Sequence, residues 1–236
     1  MTSLALDGDE VHVWRAASDL MAGRLEDLSQ SLSADERTRA GRFAFRSDRD
    51  RFIVRRGLLR AILARYLAVD PARLQFDYGA SGKPALAWQG AGIRFNLSHS
   101  AGLVLYAVAR GREVGVDVEQ IRTAIAQERV PEHFFSPREV AELRALPVDA
   151  QPEAFFACWT RKEAYVKARG EGLGLGLDRF EVSLVPGEPA ALLRTADDAD
   201  EASRWFLQAW APARGYVAAL AVEGQACRLT CRPWRG

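Results

Sequence analysis

The sequence predicts an α+β fold made of two similar halves. Each half carries a helical pattern followed by several short strand patterns, and no repeat of fixed period indicates a solenoid. The chain of 236 residues is 48% hydrophobic and 27% charged, which is typical of a globular protein and unlike a disordered or collagen-like chain. A boundary near Gly111 divides the chain into residues 1–110 and residues 111–236.

The N-terminal half begins with a short strand at residues 11–14 and continues with helices. Ser33 and Glu36 have the spacing of a capping box, which predicts that a helix starts there. Residues 49–66 place apolar side chains at helical intervals, and the Asp-Pro pair that follows ends this helix. Strands are then predicted at residues 74–78, 93–97 and 103–109, separated by turn residues.

The C-terminal half begins with a predicted strand at residues 114–118, and two helices are predicted at residues 137–145 and 152–169. Alternating glycines at residues 170–176 predict a loop, and residues 186–201, rich in Ala and Asp, predict a mobile connection. Further strands are predicted at residues 180–185, 205–210 and 216–222.

The charge balance excludes several functions. Lys and Arg number 32 against 31 Asp and Glu, for a formal net charge of +1, whereas a protein that coats nucleic acid is markedly basic. Residues 37–60 nevertheless hold nine arginines and two aspartates, which predicts a local basic face. Because the charge of the whole chain is nearly balanced, we expect no nucleic-acid partner.

Cysteines and apolar stretches indicate the compartment. The chain has three cysteines, an odd number, and no positively charged leader, so we expect reduced thiols. The longest strongly apolar stretch, residues 103–109, is far shorter than the ~20 residues that span a bilayer. We expect a cytoplasmic protein without a membrane partner.

Residues 113–119 carry the most informative chemical signal. On a strand, Gly115, Asp117 and Glu119 share one face, and the three valines between them share the other. The carboxylates of Asp117 and Glu119 form a hard-oxygen surface suited to Mg²⁺, and Gly115 leaves room beside them. The alternative is a half-buried strand with a solvated acidic face.

A second signal lies on the helix predicted at residues 152–169. Glu163 and Lys167 are four residues apart, so they share one side of this helix. One interpretation is a third metal carboxylate with a phosphate-binding cation. The alternative is a surface ion pair worth about 0.3–0.5 kcal/mol.

Two further signals lie at turns. His99 follows Ser98 at a predicted strand end, where backbone N–H groups can face an anion, although a structural histidine is the alternative. Lys83 lies on a tight glycine turn that lacks the spacing of a nucleotide P-loop. Together the signals supply three carboxylates for one metal and basic side chains for phosphates, as transfer chemistry on a polyphosphate substrate requires.

The order of these motifs resembles the surfactin-type (Sfp-type) 4'-phosphopantetheinyl transferases. The resemblance covers residues 33–182 and rests on Gly82-Lys83-Pro84, Phe95-Asn96-Leu97-Ser98-His99-Ser100, Val114-Gly115-Val116-Asp117-Val118-Glu119 and Trp159-Thr160-Arg161-Lys162-Glu163-Ala164-Tyr165-Val166-Lys167. It implies an enzyme that transfers the 4'-phosphopantetheine arm of coenzyme A to a serine of an apo acyl- or peptidyl-carrier protein and releases adenosine 3',5'-bisphosphate. It also implies that the two halves are related by pseudo-twofold symmetry, with the active site between them.

The resemblance assigns roles by position. Asp117, Glu119 and Glu163 would hold Mg²⁺, with Mn²⁺ as the alternative ion, and Glu163 would also take the serine proton. Lys167 would hold the pyrophosphate, on the side of the C-terminal half. The 3'-phosphate and adenosine would lie on the side of the N-terminal half, against Lys83, Ser98, His99 and Arg51.

Some positions depart from the pattern or leave a role open. Family members often carry a basic residue where this chain has Glu36. Arg51 and Arg39 are counterparts of other such residues, with a solvated arginine or a rim contact to an acidic carrier protein as the alternatives. The role of Lys162 is open, and Cys158 is interpreted as a packing residue.

Two other function classes stay open at this point. A Mg²⁺-dependent phosphohydrolase would use the same carboxylates with water as the nucleophile, and it would need no carrier protein. A non-catalytic module that binds coenzyme A or a carrier protein would not need all three carboxylates, which this chain retains. Because both halves are present in one chain, the resemblance implies a monomer, with carriers of polyketide, nonribosomal peptide or fatty-acid synthesis as partners.

Overall fold

The computed structural model describes residues 3–17, 23–79, 82–87, 92–123, 130–196, 198 and 200–235. Its helices are α1 (Leu25–Gln30), α2 (Ala34–Gly41), α3 (Arg46–Leu67), α4 (Pro131–Phe134), α5 (Pro137–Ala145) and α6 (Gln151–Arg169). Its strands are β1 (Glu10–Ala17), β2 (Phe76–Tyr78), β3 (Pro84–Leu86), β4 (Ile93–Ser100), β5 (Leu103–Arg110), β6 (Val114–Gln120), β7 (Phe180–Val182), β8 (Leu192–Thr195), β9 (Trp205–Trp210), β10 (Tyr216–Glu223) and β11 (Arg228–Pro233). The predicted α+β class is confirmed.

Capping and apolar periodicity place the main helices as predicted. Ser33 and Glu36 form a capping box at the start of α2, in which the Ser33 amide donates to the Glu36 carboxylate at 3.0 Å. The same arrangement of Ser and Glu starts α5. α3 contains the whole of the predicted helix at residues 49–66 and ends before Ala68, which has a left-handed backbone with φ of 53°.

The N-terminal half packs α3 against a four-stranded sheet with the order β11-β1-β5-β4. β5 is antiparallel to both β1 and β4, whereas β11 runs parallel to β1. Apolar side chains of the helix and the sheet share one core, among them Leu59, Ile62, Leu63, Trp14 and Tyr106. Burial of each large apolar side chain contributes about 1.5–3 kcal/mol, so the helix is held mainly by this face.

The C-terminal half repeats this plan. α6 packs against the three-stranded antiparallel sheet β6-β10-β9, and their common core includes Phe155, Phe156, Tyr165, Ala219 and Ala221. A helix on an antiparallel sheet therefore occurs in both halves, as predicted.

The two sheets face each other through a further apolar cluster. β1 and β5 contribute Val13 and Leu105, while β6 and β10 contribute Val116 and Leu220, and none of these side chains is more than 1% exposed. The layers of the molecule therefore run helix, sheet, sheet, helix. β4 and β6, the outer strands of their sheets, lie side by side where the two halves meet.

Several segments differ from the predictions, among them the short elements α1, β3 and α4, which were not predicted. Leu192–Thr195 pairs with β7 as a strand, so the predicted mobile connection at residues 186–201 contains regular structure. The glycine-rich stretch forms 3₁₀ turns at Gly172–Leu175 and Leu177–Arg179 in place of the predicted loop. β11 has no counterpart in the prediction, and it completes the sheet of the N-terminal half from the C-terminal end of the chain. The division at residues 110 and 111 stays a prediction, and β11 crosses it.

None of the described helices is both long and apolar enough to cross a bilayer.

Candidate active site

Gly115 lets helix α6 lie directly on strand β6. A Cβ atom at this position would be 2.1 Å from the Ala164 carbonyl oxygen and 2.4 Å from the Ala168 amide nitrogen, so only glycine fits. The sequence suggested that this glycine leaves room for a ligand, but the backbone of α6 takes the room. The close approach brings Glu163 and Lys167 of α6 to the acidic face of β6.

Asp117 is the most buried carboxylate of this face, with 3% of its surface exposed. Its Oδ1 accepts hydrogen bonds from Lys167 Nζ at 2.6 Å and from Ser98 Oγ at 2.7 Å. Its Oδ2 is buried and has no hydrogen-bond partner among the described residues. An unpaired buried carboxylate oxygen is costly, so this atom marks a place for a cation or a further donor.

Glu119 and Glu163 form a carboxylate cluster with Asp117. Ser100 Oγ donates to Glu119 Oε2 at 2.6 Å. Burial raises the pKa of all three carboxyl groups, and repulsion from Asp117 raises the pKa of Glu119 and Glu163 further. The cluster therefore favours a bound cation, and Lys167 meets this need only in part.

The donor chemistry of the carboxylate cluster fits a hard divalent cation. Carboxylate oxygens are preferred ligands of Mg²⁺, and Asp117 Oδ2 lacks a partner within the described chain. Among the described residues, no three side chains of His, Cys, Asp or Glu are already close enough together to bind one metal ion. Glu163, whose carboxylate makes no hydrogen bond with a described residue, must therefore move toward Asp117 and Glu119, which Ser98 and Ser100 hold, before all three carboxylates can share one ion.

A cleft of about 290 Å³ adjoins the carboxylate cluster and is lined by Lys83, Glu163 and Lys167. Lys83 Nζ donates to the Ala168 carbonyl at 3.1 Å and lies 3.4 Å from a Glu113 carboxylate oxygen. Burial lowers the pKa of Lys83, while Glu113 opposes the shift. The structure thus brings together the two lysines that the sequence assigned to phosphates.

The cleft continues toward α3 through two further cavities. Leu97 lines the cleft and a second cavity of about 330 Å³, to which Arg55 and His99 also contribute. A third cavity of about 640 Å³ shares Arg55 and His99 with the second and reaches Arg51. These three adjoining cavities extend from the carboxylate cluster to α3, and together they are called the trough.

Arginines of α2 and α3 line the far end of the trough. Arg51 forms an exposed ion pair with Asp48 at 3.6 Å, and Arg39 lies over the Phe52 ring at 5.4 Å. The half-buried guanidinium of Arg55 makes no hydrogen bond or ion pair with any described residue. The sequence analysis missed Arg55, although its spacing of four residues from Arg51 on one helix was a usable signal.

His99 lies where the second and third cavities meet, and its side chain is exposed. Desolvation by the surrounding atoms, together with the nearby charges of Arg55 and Lys167, lowers the pKa of His99 to about 4. The imidazole is therefore neutral at pH 7 and offers an anion a hydrogen bond rather than a charge. Its contact with a phosphate stays a prediction.

Ser98 uses the full hydrogen-bonding capacity of its hydroxyl inside the protein. The hydroxyl donates to Asp117, and it accepts from Lys167 Nζ at 3.1 Å and from the Val118 amide at 3.4 Å. A phosphate at this oxygen would have to displace one of these partners. The predicted contact of Ser98 with the 3'-phosphate therefore stays untested, whereas its contact with the carboxylate cluster is present.

Comparison with known proteins identifies the family. Residues 19–110 match the family described as 4'-phosphopantetheinyl transferase, N-terminal, and residues 113–221 match the 4'-phosphopantetheinyl transferase superfamily. The chain is 43% identical to the 4'-phosphopantetheinyl transferase HetI of Nostoc sp. over 224 residues, which cover 94% of this chain and 91% of HetI. The chain belongs to the 4'-phosphopantetheinyl transferases.

Two Bacillus relatives agree with this assignment. The transferase is 33% identical to a 4'-phosphopantetheinyl transferase of Bacillus subtilis over 168 residues, covering 70% of this chain and 72% of the relative. It is 30% identical to the 4'-phosphopantetheinyl transferase Sfp of Bacillus subtilis (strain 168) over 159 residues, covering 67% and 69%. The predicted Sfp-type family and the predicted enzyme class are therefore confirmed.

Glu36, which departs from the family pattern, has a structural role in this transferase. The side chain is buried, its Oε2 lies 2.6 Å from Arg60 Nε, and its Oε1 lies 3.1 Å from Arg56 Nε. With its capping contact to Ser33, Glu36 ties α2 to α3. The position therefore shapes one wall of the trough and does not bind an anion itself.

Lys162, whose role the sequence left open, is also structural. Its fully buried Nζ donates to the carbonyls of Leu177 at 2.7 Å and Phe180 at 2.5 Å and lies 2.8 Å from Glu139. It anchors the chain that follows α6 and does not line the trough. Cys158 is buried in the core of the C-terminal half, as predicted, and burial raises the pKa of its thiol.

Proposed function

We propose that this transferase moves the 4'-phosphopantetheine arm of coenzyme A to a serine hydroxyl of apo acyl- or peptidyl-carrier proteins. The observation that carries the proposal is the trough, which joins the carboxylate cluster at one end to Arg51, Arg55 and His99 at the other. Coenzyme A carries a pyrophosphate at its reacting centre and a separate 3'-phosphate on its ribose. A trough with charged groups at both ends suits such a substrate.

In the proposed step, the serine oxygen forms a bond to the phosphorus that carries the pantetheine arm. The bond from this phosphorus to the bridging oxygen breaks, and adenosine 3',5'-bisphosphate leaves with the electron pair. The serine proton passes to Glu163. The raised pKa of Glu163 supports this role, because a base whose pKa lies closer to neutrality accepts a proton more readily.

Asp117, Glu119 and Glu163 would hold Mg²⁺, with Mn²⁺ as the alternative. A divalent ion held there would offset the negative charge that develops on the leaving group. The unpaired Asp117 Oδ2 and the raised pKa values of the cluster support this assignment. Lys167, 2.6 Å from Asp117, is proposed to contact the pyrophosphate.

The adenosine half of coenzyme A is assigned to the α3 end of the trough. We propose that Arg51 and His99 contact the 3'-phosphate at this end, and we add Arg55, whose guanidinium is attracted by Asp48 but makes no hydrogen bond or ion pair with a described residue. Lys83 and Ser98, which were predicted to share the 3'-phosphate, lie at the carboxylate end of the trough, so we propose that they face the part of coenzyme A between its 3'-phosphate and its pyrophosphate. A planar guanidinium can bind phosphate through two parallel hydrogen bonds. Binding energy from this remote phosphate can orient the reacting phosphorus toward the serine.

We also propose that the enzyme acts as a monomer in the cytoplasm, on carriers of polyketide or nonribosomal peptide synthesis. Residues of both halves of one chain line the trough, so one copy suffices to form it. The three cysteines are free thiols, which suits a reducing compartment.

Intact-mass spectrometry of a panel of apo carrier proteins tests the proposed reaction. Incubation with the enzyme, coenzyme A and Mg²⁺ should add one phosphopantetheine arm to a carrier, and EDTA should abolish the gain. Breakdown of coenzyme A without any gain in carrier mass would instead indicate the phosphohydrolase. Neither change on any carrier would favour a binding module.

Glu163→Gln should reduce transfer by at least ~100-fold with the fold intact, because the amide cannot take the serine proton. Rates come from the same mass assay, and circular dichroism checks the fold. Glu153→Gln, which alters an exposed glutamate on the same helix, is the matched control. Cys158→Ala should keep its activity, and wild-type rates in Glu163→Gln would rule out the mechanism.

A further inference from the structure

Side chains of β4 connect the two halves of the molecule next to the active site. Asn96 Oδ1 accepts from the Val116 amide at 3.1 Å, and Ser100 Oγ accepts from the Gln120 amide at 3.1 Å. Between these two contacts, Ser98 Oγ accepts from the Val118 amide at 3.4 Å. Because β4 and β6 are the outer strands of different sheets, these polar side chains take the place of a backbone ladder between them.

Two of these side chains also hold carboxylates of the cluster. Ser98 Oγ donates to Asp117 at 2.7 Å, and Ser100 Oγ donates to Glu119 at 2.6 Å. A serine hydroxyl has a single proton, so once it donates to the carboxylate only its lone pairs remain for the amide. Each serine therefore fixes a carboxylate relative to the backbone amide that follows it in β6.

The effect of a serine hydroxyl on the position of a carboxylate can be tested more cleanly at Ser100 than at Ser98. Ser98 also accepts from Lys167, so its loss would disturb the ion pair between Lys167 and Asp117. Ser100 contacts Glu119 and one exposed amide, which water can satisfy when the hydroxyl is removed. Loss of the Ser100 hydroxyl should therefore release the Glu119 carboxylate and leave the fold intact.

We propose that Ser100 is a positioning residue of this transferase, which holds the Glu119 carboxylate in place for the divalent cation. The inference rests on the proposed function, because it takes Glu119 as a metal ligand. Partners that orient a metal ligand typically contribute about 10–100-fold to metal affinity or activity. The hydroxyl of Ser100 has the geometry of such a partner, at 2.6 Å from Glu119.

The test compares Ser100→Ala, Ser100→Thr and the wild-type enzyme. Mn²⁺ binding to the full chain, followed by calorimetry without turnover, should weaken roughly tenfold in Ser100→Ala. Ser100→Thr keeps a hydroxyl and should restore most of the affinity. In transfer assays, the Mg²⁺ concentration for half-maximal rate should rise in Ser100→Ala by a larger factor than the kcat at saturating Mg²⁺ falls.

Two further variants show whether the effect passes through Glu119. Adding Ser100→Ala to Glu119→Gln should cause no additional loss of Mn²⁺ affinity, because the carboxylate it positions is already gone. Thr230→Val is the matched control, since it removes a hydroxyl-to-carboxylate hydrogen bond of 2.7 Å to Glu10, away from the trough. This control should bind Mn²⁺ as the wild type does, and thermal unfolding of each variant checks the fold.

Unchanged Mn²⁺ affinity in folded Ser100→Ala would overturn the inference. So would a Ser100→Thr variant as weak as Ser100→Ala, or a further loss in the Glu119→Gln background. A wild-type enzyme that transfers the arm but binds no Mn²⁺ would overturn the proposed metal site, and this inference with it. The wild-type measurement thus separates failure of the proposed function from failure of the role of Ser100.

Discussion

His99 shares its end of the trough with Arg55, and this neighbour decides how the imidazole can contribute. A histidine in water has a pKa near 6.5, but desolvation and the nearby cations lower the pKa of His99 to about 4. At neutral pH the ring can therefore donate one hydrogen bond and accept another. The positive charge at this end of the trough comes from arginine.

The protonation of His99 should respond to an anion in the trough. NMR titration of the ring should give a pKa of about 4 for the free enzyme. Adenosine 3',5'-bisphosphate should raise this pKa, because a bound phosphate stabilises the imidazolium. Binding of this probe below neutral pH should accordingly be accompanied by uptake of a proton at His99. Arg55→Ala should also raise the pKa, and a free-enzyme titration near the ordinary value of about 6.5 would contradict this account.

The sequence placed several residues of the candidate site correctly in space, for simple geometric reasons. Alternation along a strand puts Asp117 and Glu119 on one face, and a spacing of four residues on a helix of 3.6 residues per turn puts Glu163 beside Lys167. The role of Gly115 was less accessible, because its neighbour in space is the backbone of a helix about fifty residues later. Serine hydroxyls such as that of Ser100 follow no recognisable sequence pattern, because their role depends on the strand that they face.

At the scale of elements, the contact between β6 and α6 determines the geometry of the carboxylate cluster. Glu163 and Lys167 come from the helix, while Asp117 and Glu119 come from the strand. The distance between the two backbones is set by the missing side chain of Gly115. A small change in this spacing would move two members of the active site relative to the other two.

Gly115→Ala should therefore destabilise the enzyme and abolish transfer. The added Cβ would lie 2.1 Å from a carbonyl oxygen of α6, so backbone must move. Overpacking of this kind costs about 1–3 kcal/mol, and more when backbone is involved. Chemical denaturation and the mass assay measure the two effects. Gly41→Ala in α2 is the matched control, because nothing lies within 4 Å of its added methyl group, and it should leave stability unchanged or raised.

Long helices and central strands were predictable at this scale, whereas the short strands β3, β8 and β11 were not. Capping boxes and apolar periodicity identify α2, α3, α5 and α6, because these signals are local. β11 reads Arg-Leu-Thr-Cys-Arg-Pro and lies at a sheet edge, half exposed, so it lacks an apolar alternation. β8 likewise has exposed residues and only short pairing with β7. Such strands owe their structure to a partner elsewhere in the chain.

At the scale of the whole molecule, the chain returns to its N-terminal half at the C-terminal end of the sequence. β1 opens the N-terminal half, and β11 returns from the C-terminal half to lie beside it. Trp234, just after β11, packs against Trp14 with ring centroids 5.9 Å apart and lies under the Arg65 guanidinium at 4.4 Å. The last strand therefore fastens the two halves together, although it contributes no residue to the trough.

Removal of residues 228–236 should lower stability more than activity. The shortened chain keeps every proposed site residue but loses β11 and the Trp234 contacts. A loss of about 2 kcal/mol would lower the melting temperature by roughly 4–8 °C. Transfer measured well below that temperature should persist. A chain that lacks only residues 235–236 is the control, and an unchanged melting temperature after the longer deletion would contradict the role given to β11.

The two-half plan was predictable, whereas the way the halves meet was not. Helix-then-strand patterns in each half follow from local periodicity. The join depends on long-range pairing, on a shared apolar cluster between two sheets, and on side chains of β4 that face β6. None of these contacts has a signature within one stretch of sequence, which is also why the position of the active site between the halves had to be inferred from a resemblance.

The pairing of β1 with β11 has a consequence for the order in which the protein folds during its synthesis. The Thr230 hydroxyl bonds to a side chain 220 residues earlier in the sequence. At a typical synthesis rate, about 10–40 s pass between the emergence of the two strands from the ribosome. During that interval the outer edge of β1 has no strand to pair with. The nascent N-terminal half can therefore form wrong strand pairs through this edge. Slow release of the chain from the ribosome, or synthesis that stops before β11, would prolong this period.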